Sequence, residues 1–162
     1  MTGSASFNLT TNYTAKCSTT FNYATNFANA ITISFWAKIV SLNTTNGGWD
    51  CILNALGTIQ RNAAASTWNI SIFGATYASS TATFQYFPDN IWHHYVFIVE
   101  KGGTGTQARL TIYKNGVLES AGAFGGTYSA PNVAFDLSLT NVPFLGKLDD
   151  FRIYNRALNQ SE

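Results

Sequence analysis

The chain has 162 residues, of which 46% are hydrophobic, 15% aromatic and only 10% charged, and its formal net charge is +1. That length fits one domain, residues 1–162, burying roughly 70% of its unfolded surface, and the apolar mass excludes disorder. A near-neutral balance without a basic block excludes nucleic acid as a partner, and no apolar run approaches the ~20 residues of a membrane helix.

In chain order, Ser4–Leu9 and Asn12–Lys16 read as weak strands. The first strong element is ITISFWAKIV, Ile31–Val40. Strict alternation puts Ile31, Ile33, Phe35, Ala37 and Ile39 on one face, and Thr32, Ser34, Trp36 and Lys38 on the other. Weaker strands follow at Asp50–Asn54, Thr67–Phe73 and Thr81–Tyr86, punctuated by polar or glycine clusters around 43–48, 61–66 and 78–80. NIWHHYVFIVE, Asn90–Glu100, is a nearly continuous apolar run, as expected for a strand covered on both faces. Trp36 and Trp92 lie inside these strong strands and read as sheet packing. Asn115-Gly116 between apolar runs predicts a tight hairpin, because both turn positions need positive φ. A glycine cluster at 122–126 punctuates the chain again, before strands at Val133–Leu139 and Pro143–Tyr154.

The last of these, in GKLDDFRIYNRALNQSE, carries adjacent acids. Unbroken alternation puts Asp149 with Phe151 and Ile153 on the core side, and Asp150 with Arg152 and Tyr154 on the other. A carboxylate on a core-facing row is costly unless something satisfies it. Residues 157–162 read as one helical turn. Many short strands, regular turns and little helix predict an all-β antiparallel sandwich or barrel.

The segments ITISFWAKI, WHHYVFIVE, LTIYKNGVL and GKLDDFRIYNRAL, in this order and spacing, resemble the laminin-G-like domains of the concanavalin A-like lectin/glucanase fold, of the LamG3 variety. The resemblance implies a two-sheet antiparallel jelly-roll sandwich. It also implies a non-catalytic binding module in an extracellular or virion-surface protein, with a glycan or a surface protein as partner. A calcium ion often found in the family implicates Asp149, with Asn12 standing where the family usually has an acid beside an aromatic. Asp149 otherwise accepts backbone N–H groups or pairs with Lys147 or Arg152.

A glycoside hydrolase needs two carboxylates flanking the scissile bond. The chain has eight acids, none paired at the i, i+2 spacing that aligns two on one strand face, so no enzyme activity is expected. His93 and His94 point oppositely and read as one core and one surface histidine rather than as metal ligands. Cys17 and Cys51 either bridge or remain separate thiols. Sugars are commonly held by an aromatic plate rimmed by polar groups, and the loop-flanked candidates are Trp49 with Asp50, Trp68, Tyr77 and Tyr128. The leading expectation is glycan recognition at a cell or virion surface. The alternatives are a decoration or tail-fibre domain that binds protein and forms oligomers, and a domain excised from a larger secreted enzyme or adhesin.

Overall fold

A computed structural model describes residues 5–7, 26–40, 49–53, 57–62, 67–73, 75–78, 89–102, 106–129 and 146–162. Ten strands occur among them: β1 (Ala5–Phe7), β2 (Ala30–Ile39), β3 (Trp49–Leu53), β4 (Gly57–Asn62), β5 (Thr67–Ile72), β6 (Ala75–Ala78), β7 (Trp92–Lys101), β8 (Gln107–Lys114), β9 (Val117–Thr127) and β10 (Gly146–Tyr154). They form a six-stranded sheet, in the order β1-β10-β2-β7-β8-β9, and a four-stranded sheet, in the order β3-β4-β5-β6. Every recorded pairing is antiparallel. No helix among the described residues is long and apolar enough to cross a membrane.

Alternation in β2 sets the layering. Its odd-numbered row, Ile31 to Ile39, is buried against Tyr95, Phe97 and Val99 of β7 and Leu110 and Ile112 of β8, with Ile70, Ile72 and Ala75 of the second sheet closing the core. Phe35 is the hub: its ring lies 5.8 Å from each of the Tyr95, Phe97 and Phe151 rings. Truncating such a ring to alanine typically costs about 3–5 kcal/mol. The Asn115-Gly116 hairpin forms as its sequence requires, with φ of 52° and 76°.

β4 and β6 form where the sequence pattern predicts no strand, and β9 runs through the glycine cluster at 122–126. Residues 157–162 do not form a helical turn: 159–162 make a single tight turn closed by Glu162 N–H donating to Asn159 O at 3.1 Å, and 157–158 are irregular. Tyr128 is not a loop aromatic open to ligand. Its ring meets Phe73 edge-on at 5.7 Å, its hydroxyl donates to Phe27 O, and only 8% of its surface is exposed. The weak strands at 12–16, 81–86 and 133–139 lie outside the described residues.

The paired acids do not follow the unbroken alternation that the sequence predicts. Leu148 faces Ala37 and Asp149 faces Trp36, yet the next matched pair is Arg152 with Ser34. Two residues of β10, Asp150 and Phe151, therefore oppose the single residue Phe35, which is a β-bulge. Asp150 is the extra residue. It sits at φ 49°, in the left-handed region that aspartate tolerates better than most side chains. Its N–H, taken out of regular pairing, donates to Asp149 Oδ1 at 2.8 Å. The bulge returns Phe151 to the core against Phe35 and leaves Asp149 on the outer face, beside Trp36. The carboxylate never enters the core row. In urea unfolding, Asp150→Gly is expected to stay within about 0.5 kcal/mol of the parent, whereas Asp150→Val, β-branched at positive φ, loses about 1–2 kcal/mol. Asp149→Ala should cost about 1 kcal/mol, one exposed hydrogen bond, rather than the several expected of a buried acid.

Candidate functional site

The outer face of the six-stranded sheet is laid out by register alone. Tyr154, Thr32, Ile98 and Thr111 form one cross-strand row; Arg152, Ser34, Val96 and Tyr113 form the next; Asp149, Trp36 and His94 form the third. This face is only partly open to solvent. Thr32 is fully buried and Ile98 only 5% exposed, because the segment after β10 folds back over them. Thr32 holds that segment directly: its hydroxyl donates to Arg156 O at 2.7 Å and accepts from Leu158 N–H at 3.2 Å. Arg156 then grips Glu162 with both terminal nitrogens, and Asn159 Oδ1 accepts the Ser161 N–H, fixing the turn.

Between this segment and the sheet lies a groove of about 400 Å³. Ser34, Trp36, His94 and Val96 supply its floor, Leu158 to Glu162 one wall, and the bulge residue Asp150 with Arg152 one end. Trp36 is 39% exposed and stacks on the His94 ring at 5.1 Å between centroids. Ser34 Oγ lies 2.8 Å from His94 Nε2 and fixes that ring. Asp150 Oδ1 accepts from Arg152 Nε at 2.8 Å. Burial pushes the His94 imidazole below its ordinary pKa, Asp150 opposing and Arg152 adding to the effect, so the ring is neutral at pH 7. Glu162 is held down at about 2 by Arg156, with the Asn159 N–H contributing. The arrangement offers an aromatic plate on a rigid floor, with hydroxyls, amides and carboxylates around its rim.

A family model of the concanavalin A-like lectin/glucanases superfamily, laminin G 3, matches residues 10–162. The chain belongs to this family. No curated protein matches the chain. Among solved structures, it is similar to domain 4 of an extracellular arabinanase from Geobacillus stearothermophilus in complex with arabinotriose (24% identity, TM-score 0.50), covering 82% of this chain and 64% of that one. A Bacteroides ovatus protein described as carbohydrate-binding superposes with a TM-score of 0.66 at 15% identity, over 99% of this chain and 46% of that one. The CBM40 of a Ruminococcus gnavus IT-sialidase superposes with a TM-score of 0.53 at 9% identity, over 98% and 94%. The chain thus spans less than two thirds of the first two. At these identities the likeness establishes the fold, a concanavalin A-like sandwich.

The residues singled out from sequence do not gather in the groove of this laminin G-like domain. Trp49 and Asp50 begin β3, Trp68 lies in β5 and Tyr77 in β6, all in the other sheet, and their side chains lie outside the described part. Asn12 also lies outside it. Asp149 contributes one carboxylate, with one oxygen engaged by the Asp150 N–H, and no group of three His, Cys, Asp or Glu side chains gathers among the described residues. A calcium ion takes about six to eight oxygens, backbone carbonyls included, and of the two residues expected to hold it only Asp149 lies among the described residues. His93 and His94 point oppositely as expected, but neither is a core histidine. His93 sits at the sheet end with Asp89 Oδ2 2.6 Å from its Nε2 and Asn115 Nδ2 2.9 Å from its Nδ1. The groove residues Trp36, His94, Arg152 and Tyr154 were legible only as an outer row, since what covers that row is the distant segment 156–162.

His94 gives a pH signature. Its folded pKa lies below the unfolded value, so between the two the unfolded chain binds more protons, and stability falls as pH drops below about 6.5. Melting temperatures from pH 7.5 to 5 should decline less steeply for His94→Gln than for the parent. Equal slopes would mean that His94 is not the buried neutral group described.

Proposed function

We propose that this laminin G-like domain is a carbohydrate-binding module, acting outside the cell or at a particle surface, and that the saccharide lies in the outer-face groove. The observation that carries this reading is Trp36: a partly exposed indole, held flat by His94 and flanked by polar side chains on both sheet and wall. Such a plate matches the apolar face of a pyranose, while Asp150, Asn159 and Gln160 are available to the ring hydroxyls. The arabinotriose and carbohydrate-binding descriptions of its structural neighbours support the same class of ligand.

The reading is of binding without hydrolysis. A glycosidase needs one carboxylic acid kept protonated near neutral pH by a raised pKa. Glu162 is pushed the opposite way by Arg156, and Asp150 is tied to Arg152. The Glu162 carboxylate is arranged to accept hydrogen bonds rather than to donate a proton.

A glycan array followed by titration calorimetry tests the assignment. Trp36→Ala is expected to weaken saccharide binding about tenfold or more, some 1.4 kcal/mol per decade, with little change in melting temperature. Trp49→Ala should leave affinity within about twofold. The reverse pattern would move the site to the other sheet.

A further inference from the structure

Within the groove, the charges cancel in pairs. Asp150 is bonded to Arg152, Glu162 to Arg156, and His94 is neutral at pH 7. One row further along the outer face the balance changes. Lys38 and Lys147 are direct cross-strand partners, and both lie outside, because Ala37, Ile39 and Leu148 beside them face the core. Lys38 is two residues from Trp36 on the same strand, about 7 Å along it, within the reach of one lysine side chain. No carboxylate lies within ion-pair distance of either ammonium among the described residues. Asp149, in the intervening row, is bonded to the Asp150 N–H.

Like charges directly opposite on one sheet face are destabilising, so such a pair calls for a reason. Lysines are often placed on edge strands to block sheet-to-sheet pairing, but β2 and β10 are interior strands, flanked by β7 and β1. Edge protection therefore does not explain them. An anion bridging the two ammonium groups would remove the repulsion and place its charge beside the Trp36 plate.

Resting on the saccharide-binding reading above, we propose that the ligand is an acidic oligosaccharide. One neutral sugar stacks on Trp36 inside the charge-balanced groove, and an adjoining carboxylate or sulfate lies between Lys38 and Lys147. The plate supplies affinity, and the lysine pair selects for the acidic form.

The test is a glycan array carrying neutral core oligosaccharides, each beside its sialylated, uronylated and sulfated forms. It is probed with the parent chain, Trp36→Ala and the double variant Lys38→Gln/Lys147→Gln, with folding checked by circular dichroism. The parent should prefer acidic over neutral members of a matched set by about fivefold, and that preference should shrink between about 50 and about 500 mM NaCl. The double variant should lose the preference while still binding the neutral cores, and Trp36→Ala should lose both. The sialylated, uronylated and sulfated spots distinguish a carboxylate from a sulfate. Binding that depends on Trp36 but shows no acidic preference, or a preference untouched by the double variant, would overturn this inference and leave the saccharide site standing. Absence of any Trp36-dependent signal would overturn the saccharide site and the inference with it.

Discussion

Between Asp149 and Arg152, β10 carries one residue more than the length of β2 that it faces. In a structure whose side chains alternate strictly, one extra residue reverses the two faces for everything that follows. Without it, Asp149 and Phe151 would compete for the same side of the sheet, and Arg152 would be driven toward the core row of Ile33. With it, Phe151 stacks on Phe35, Ile153 packs against the core, and Asp149, Arg152 and Tyr154 all remain outside. The cost is one aspartate in the left-handed region, offset by the hydrogen bond between its N–H and the preceding carboxylate.

The outer face then has to be reconciled with its own apolar content. Val96 and Ile98 of β7 would be exposed on a bare sheet, and the segment after β10 covers part of them. Thr32, through a hydroxyl that both donates and accepts, pins this segment at its start, and the Arg156–Glu162 pair stabilises its end. The covering stops short of Trp36. What remains is a recess with a rigid aromatic floor and one polar wall, so the same contacts that relieve an exposed strand also create a binding groove. A site built on strands holds its side chains more firmly than one on loops, because neighbouring strands fix every Cα in the floor.

Much of this fold was written in local pattern. The alternation of Ile31 to Ile39 located the core, and Asn115-Gly116 located a hairpin, since each depends on a few adjacent residues. The resemblance of GKLDDFRIYNRAL and its companions to laminin G-like domains named the two-sheet sandwich, and the match over residues 10–162 bears it out. The bulge was hidden because nothing in Leu-Asp-Asp-Phe-Arg announces an extra residue; it appears only when the partner strand is known. Tyr128 looked like a loop aromatic because its partners, Phe27 and Phe73, are far away in sequence. The groove was hidden for the same reason, its wall coming from 158–162 and its floor from Ser34, Trp36, His94 and Val96. The sequence pattern marks Trp36 only as sheet packing, which is half of what it does: one side of the indole rests on His94 while part of it stays open.

The register of β10 against β2 is the claim on which the groove, its charges and its plate all rest, and cross-strand proton contacts in solution report it directly. Nuclear Overhauser spectra of the isotope-labelled chain should connect Arg152 with Ser34 and Asp149 with Trp36 across the two strands, with a backbone coupling at Asp150 consistent with positive φ. A contact linking Arg152 to Ile33 instead, with Asp150 in an extended conformation opposite Phe35, would mean an unbroken ladder and would contradict the account.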